Sequence, residues 1–289
     1  MQKRKNFAKT TQRQVILALY ICLTVVMVAI LTLIISNIAQ TLEYKDIQKS
    51  LEQAVVDNSV EMGINDNRDA ARSMPQTDGL AGMITRPGSF KYPVADDVPD
   101  SIDFDYLLDV NAQTIGWIYL SDSVINYPIM QSKDNEYYLN HLFDGQVNSA
   151  GSIFADYRTV DLKNDRCVII YGHNIKNGSM FGGLKKYKDS DYLAENKLMY
   201  IFVPDDRYQV EIIASALIKA DDEMYIPSNW EDNYEEYVNR LVDTSASAPD
   251  TSVGEGDRYV LLSTCDYTFT GARLVVLGRL ISENGRGEV

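Results

Sequence analysis

Residues 261–280 read "LLSTCDYTFTGARLVVLGRL". An apolar run stops on Ser263, Thr264 and Cys265, the polar loop "DYTFTGA" turns the chain, and a second apolar run opens with Arg273. If the two runs are neighbouring strands, so short a loop brings Cys265 and Arg273 to the same edge of a sheet. Arg279 serves as an internal control. At ~3.3 Å per residue it lies about 20 Å further along the strand, so Arg273 is the arginine that can serve this thiol.

The texture of this hairpin recurs upstream. Brief runs rich in Val, Ile and Tyr appear as "GWIYL", "VINYPIM", "SIFADY", "CVIIYGH", "LMYIFVP" and "QVEIIASALI", followed by "YVLLSTC" and "RLVVLGRLI". About eight strands with few long helices between them predict a mainly β domain, an antiparallel-rich barrel closed so that no edge is left open. Peripheral helices are expected at "FDYLLDVN" and at "PSNWEDNYEEYVNRLVD". In the latter, Ser228 and Glu231 have capping-box spacing, and Tyr234, Tyr237, Val238, Leu241 and Val242 form one apolar face that should lie against the barrel.

The rest of the chain is organised by charge and hydropathy. Its 289 residues are 45% hydrophobic and 24% charged, which suits one folded domain with additional segments. The formal charge of −14 argues against a nucleic-acid partner, because phosphate binding needs a basic surface. Lys3, Arg4, Lys5, Lys9 and Arg13 precede an uncharged stretch from Val15 to Ile35, with no acid before Glu43. At 1.5 Å per residue such a stretch reaches about the 30 Å of a bilayer core, too long for the apolar part of a cleaved signal peptide. The basic cluster favours a cytoplasmic N terminus. The expected division is a cytoplasmic tail at 1–14, a transmembrane helix at 15–38, an extracellular stalk helix and linker at 39–100, and a catalytic domain at 101–289. Ile47, Leu51 and Val55 give the stalk an apolar stripe, and the Gly, Pro, Ser and Asn content after Asn58 marks a spacer.

The cysteines and histidines limit the chemistry. Of three cysteines, Cys22 sits inside the apolar stretch as a small hydrophobe, and Cys167, in mid-run, belongs to the core. A disulfide framework needs more than two widely spaced cysteines, and a metal site needs paired ligands that the chain lacks. A nucleophilic Cys265 requires a proton carrier, and histidine is the usual one near neutral pH. His173 closes the run "CVIIYGH", whereas His141, in "YYLNHLFDG", lies in a more irregular segment and is the weaker candidate.

"LLSTC" followed by "RLVVLGRL" resembles the sortase signature, Thr-Leu-x-Thr-Cys with an arginine on the next strand, and "YGHN" resembles the sortase histidine strand. Leu261 stands where that signature has a threonine. The stalk helix, the segment from "GWIYL" through "VINYPIMQSKDNEYYLNH" and the helix before the cysteine strand look like those of class B sortases, cysteine transpeptidases of Gram-positive bacteria. The resemblance implies an eight-stranded sortase barrel with no metal or organic cofactor. It also implies cleavage of a C-terminal sorting signal of secreted surface proteins after a threonine, a thioester on the cysteine, and transfer to an amine of a peptidoglycan precursor.

On this chain the resemblance makes Cys265 the nucleophile, His173 the acid and then the base, and Arg273 the oxyanion and substrate-backbone contact. It places Asn135, Leu139, Tyr171, Ser263, Thr264 and Asp266 in a substrate groove. The enzyme would be a single-pass protein of the cell membrane with its catalytic domain outside. Alternatives are pilin polymerisation with a lysine acceptor, a Cys/His peptidase that passes the acyl group to water, and a tethered binding module without catalysis. The peptidase reading is disfavoured by order, because His173 comes 92 residues before Cys265 and the cysteine ends a strand rather than opening a helix.

Overall fold

The computed structural model describes residues 20–56 apart from positions 37, 40, 43, 44, 46–48 and 50, then 98–245 apart from 122 and 205, and 253–281. The expected tail at 1–14, the first residues of the expected span and most of the expected linker lie outside the described residues. Residues 20–36 are helical and most of their apolar side chains are exposed. Among the described residues, no helix is long and apolar enough to cross a membrane.

Residues 51–56 are attached to the domain that follows. Leu51 and Ala54 are buried, Val55 pairs with Ile102 in a two-residue ladder between β1 (Val55–Val56) and β2 (Ser101–Ile102), and the Asp103 amide donates to the Ala54 carbonyl at 2.7 Å. Of the apolar stripe read from sequence, Leu51 and Val55 thus pack residues 51–56 onto the domain expected to begin at 101, and Ile47 lies outside the described residues. Helix α1 (Phe104–Val110) follows, capped by the Asp103 carboxylate accepting from the Tyr106 amide.

The eight expected strands are present: β3 (Thr114–Leu120), β4 (Asn126–Met130), β5 (Ile153–Ala155), β6 (Cys167–Tyr171), β7 (Leu198–Val203), β8 (Asp206–Lys219), β9 (Tyr259–Cys265) and β10 (Ala272–Ile281). They close into a barrel in the order β10, β8, β7, β3, β4, β5, β6, β9. Six of the eight pairings are antiparallel; β4 with β5 and β6 with β9 are parallel, because long connections return the chain to the same end of the barrel. Short helix α2 (Ser190–Glu195) leads into β7 and the longer α3 (Trp230–Thr244) lies between β8 and β9.

Alternate residues explain why β6, β9 and β10 read as continuous apolar runs. Val168, Ile170, Val260, Leu262, Leu274 and Val276 pack in the main core. Their neighbours Cys167, Ile169, Tyr259, Leu261, Val275 and Leu277 pack in a second core with Trp230, Tyr237, Val238 and Leu241 of α3. Both faces are covered, so no polar alternation survives in the sequence. The apolar face of α3 lies where expected, but the capping box does not form. A proline-led 3-10 turn, Pro227–Asn229, takes up Ser228, and the helix starts at Trp230 with Asn229 as N-cap and no side-chain bond there.

Candidate active site

The face that α3 covers continues past the reach of the helix, and the site lies on that continuation. In the β9–β10 ladder Cys265 stands directly opposite Arg273. In the parallel β6–β9 ladder Cys167 pairs with Tyr259, Ile169 with Leu261 and Tyr171 with Ser263. Carried on by two residues, the same register brings His173 level with Cys265. Strands lie about 4.8 Å apart, so the β9–β10 ladder sets thiol and guanidinium side by side, and the turn after β6, tied to the Cys265 carbonyl by Asn174, carries the histidine to the same edge.

The sequence places His173 at the end of its strand, whereas β6 stops at Tyr171 and His173 sits in the exit turn. One backbone bond and two side-chain bonds continue the attachment there. The Thr264 hydroxyl donates to the Gly172 carbonyl at 2.7 Å, the Gly172 amide to the Ser263 carbonyl at 3.2 Å, and Asn174 Nδ2 to the Cys265 carbonyl at 2.8 Å. Gly172 is required in this crossing: a Cβ there would come within 2.5 Å of Ile153 Cδ1 and 2.8 Å of the Phe181 ring.

His173 Nε2 lies 2.8 Å from the Leu139 carbonyl oxygen. A carbonyl can only accept, so the ring donates from Nε2 and its neutral form carries the lone pair on Nδ1. Among the described residues the Arg273 guanidinium makes one hydrogen bond, from Nη1 to the Ala272 carbonyl at 3.1 Å, and no carboxylate pairs with it. His141 is otherwise employed. Its ring stacks on Tyr137 with centroids 3.9 Å apart and Nδ1 donates to the Tyr137 carbonyl at 2.7 Å.

A cleft of ≈ 270 Å³ opens at this edge, lined by Cys265, His173 and Arg273 together with Asn135, Leu139, Tyr171, Ser263 and Thr264. Asp266 is placed elsewhere. Its carboxylate pairs with Lys188 at 2.5 Å and accepts from the Thr268 amide and hydroxyl, which fastens the β9–β10 loop beside the cleft. Burial opposes ionisation of Asp266, but those partners outweigh it and hold the carboxyl below the usual carboxylate range.

Sequence reasoning missed Phe154, Gly172, Ala220 and Tyr225, which also line the cleft. Tyr225 sits on a 3-10 turn (Glu223–Tyr225) that carries no periodic signal, and its hydroxyl shares a 2.7 Å hydrogen bond with Ser263 Oγ. Burial pushes that hydroxyl up to about 12, so it stays protonated. Asn174 was missed as well, although "YGHN" contains it. A second cleft of ≈ 480 Å³, lined by Asn148, Ser149, Asn174, Lys176 and Ser179 among others, reaches His173 too.

Cys167 is buried and free, and burial raises its thiol well above the ordinary value, as befits a packing residue. Among the described residues no group of three or more His, Cys, Asp or Glu side chains could hold a metal ion.

No family profile matches the chain. Sortase B of Listeria monocytogenes is 37% identical over 181 residues, covering 61% of this chain and 73% of that protein. The crystal structure of Clostridium perfringens sortase B superposes with a TM-score of 0.58 at 30% identity, covering 62% of this chain and all of that one. The Staphylococcus aureus sortase B–substrate complex gives a TM-score of 0.58 at 30% identity over 63% of this chain and 86% of that one. A crystal structure of sortase B complexed with triglycine gives 0.57 at equal identity and coverage. With this barrel, this alignment of histidine, cysteine and arginine, and relatives of this closeness, the chain belongs to the sortase B family of cysteine transpeptidases.

Proposed function

We propose that the enzyme cleaves a C-terminal sorting signal of secreted surface proteins after a threonine, holds the acyl fragment as a thioester on Cys265, and transfers it to an amine of a peptidoglycan precursor. The observation that carries this reading is that Cys265 and Arg273, opposite each other in the β9–β10 ladder, and His173, in the turn that leaves β6, line one cleft.

The thiolate of Cys265 attacks the threonine carbonyl, whose oxygen takes up negative charge beside Arg273. A preformed donor at that point stabilises the tetrahedral species more than the ground state. When the amide C–N bond breaks, imidazolium His173 gives its Nδ1 proton to the leaving amine, and the thioester remains. In the second half-reaction neutral His173 takes a proton from the incoming amine through Nδ1. Nitrogen attacks the thioester carbonyl, the C–S bond breaks, and Cys265 is regenerated. The Leu139 carbonyl holds the Nε2 proton throughout, so Nδ1 is the nitrogen free to move a proton.

Asn135, Leu139, Tyr171, Ser263 and Thr264 shape the cleft for the peptide, and Asp266 acts through the loop it fastens. The second cleft supports entry of the acceptor amine on the other side of His173, consistent with a relative that binds triglycine. Membrane attachment through residues 15–38 rests on the uncharged stretch and on the exposed apolar side chains of helix 20–36, with Leu23 61% and Leu33 68% exposed. The catalytic domain would then face the cell exterior, with the basic tail inside.

The test incubates the purified full-length chain with a pool of fluorogenic peptides bearing threonine before the scissile bond, with triglycine or a lysine-bearing pilin peptide as acceptor. Cleavage after threonine, a mass adduct on Cys265 and a triglycine-linked product are expected. Transfer to the lysine peptide alone would replace cell-wall anchoring by pilin polymerisation. Release to water alone, with acceptors ignored, would remove the transpeptidase assignment for these substrates.

A further inference from the structure

The cleft has walls from two distant parts of the chain, and a buried carboxylate outside it holds both. Asp156 follows β5 and is fully buried. Its Oδ2 accepts from Asn135 Nδ2 at 2.9 Å and from the Tyr171 hydroxyl at 3.0 Å, both lining residues. Its two oxygens also receive Arg158 Nε at 2.7 Å and Nη2 at 2.8 Å, a two-point pairing that fixes the guanidinium plane. From there Nη2 reaches the carbonyl of Tyr225 at 2.5 Å, a lining residue from the 3-10 turn after β8.

The rings of Tyr171 and Tyr225 lie with centroids 6.0 Å apart and planes inclined by 28°, and Tyr225 in turn engages Ser263, two residues before Cys265. Asn135 is held at both ends, since its Oδ1 accepts from the Tyr157 amide at 2.9 Å. Asp156 and Arg158 do not line the cleft. The geometry points to the Asp156–Arg158 pair as a positioning device that sets the spacing of the two cleft walls and thereby recognition of the sorting peptide.

The inference rests on the reading that this cleft takes the acyl donor. Burial pushes the Asp156 carboxyl up, yet the bonds from Arg158, Asn135 and Tyr171 together hold it below the usual carboxylate value. The carboxylate therefore stays anionic over the working pH range. Asp156→Asn keeps the shape and loses the charge that orients Arg158. Arg158→Lys keeps a cation for Asp156, but one ammonium cannot reproduce the planar fork and reach Tyr225 as well. Misplacement of a substrate-positioning group by about 1 Å costs roughly 10²-fold.

The experiment measures three quantities on the full-length chain: kcat and KM for the threonine peptides, KM for triglycine, and the rate of Cys265 alkylation by iodoacetamide, which needs no cleft walls. For either variant, peptide kcat/KM should fall roughly 10–100-fold, mainly through KM, while the triglycine KM and the alkylation rate stay within about twofold. Adding Asn135→Ala to Asp156→Asn should cost less than the sum of the two changes, because both act through one contact.

Unchanged peptide KM in both variants would overturn the inference, as would alkylation and peptide turnover falling in step with the melting temperature. Should Asp156→Asn fail to fold, Arg158→Lys and Tyr171→Phe carry the test. If the unaltered chain cleaves none of the peptides, the substrate reading fails instead, and the two failures are distinct.

Discussion

The two ends of the β9–β10 hairpin carry the same residue type in different circumstances. Arg273 faces Cys265 across the ladder and Arg279 faces Tyr259. At the far end Arg279 is paired with two carboxylates, with Nη2 on Glu211 at 2.8 Å and Nη1 3.7 Å from Asp257. Burial disfavours its charge, but these partners more than compensate and raise its pKa. At the near end the Arg273 side chain, among the described residues, bonds one backbone carbonyl and lines the cleft. A guanidinium whose donors are matched by carboxylates is holding strands together. One whose donors point at a cleft without a carboxylate is available to a substrate.

Cys265→Ala gives the largest effect at the near end, abolishing both the mass adduct and peptide cleavage, a loss of about 10⁴-fold or more. Residual cleavage at the original rate would break the contrast between the two ends outright. Next come the histidines: His173→Ala should lower kcat by roughly 10²–10⁴-fold, and His141→Ala should leave turnover within about twofold, since its ring is occupied by Tyr137. Equal losses in a single-turnover assay would reverse the assignment.

The arginine pair tests the comparison directly. Arg273→Lys should cost roughly 10²–10³-fold in kcat with the melting temperature preserved. Arg279→Lys should do the opposite, sparing kcat and lowering stability by about 1 kcal/mol in a denaturant titration. If both variants lose activity alike, the far end is not merely structural.

The smallest effect is on acid stability. Asp156 has a lower pKa folded than its unfolded value of about 3.9, so the stability it contributes is complete above that value and is lost as pH falls through the folded one. Asp156→Asn should therefore show a shallower decline below about pH 4 in chemical denaturation, and an unchanged acid limb would sever the carboxylate from the fold's acid sensitivity.

Much of this is legible in advance because local rules and tertiary structure agree. All eight strands can be read, since short Val, Ile and Tyr runs between turn residues have one economical closure, and the short loop puts Cys265 opposite Arg273. Ser228 and Glu231 mislead because proline-led turns and capping boxes use the same residue types. Asp156 is hidden inside "SIFADY", which reads as strand, whereas the strand ends at Ala155 and Asp156 opens a turn in which its carboxylate accepts from both the amide and the guanidinium of Arg158. Leu51 reads as stalk, and nothing local shows that its side chain is buried in the core.

The sequence by itself determined the strand set, the uncharged N-terminal stretch and the pairing of Cys265 with Arg273, all matters of residues near one another in the chain. Tertiary structure decided the rest. Only barrel closure sets β6 parallel to β9 and so brings His173 level with Cys265 across 92 residues. It likewise joins Asn135, Asp156 and Tyr171 to Tyr225 through Arg158. Those contacts depend on which strands become neighbours, and that is set by burial of the whole core rather than by any segment's own pattern.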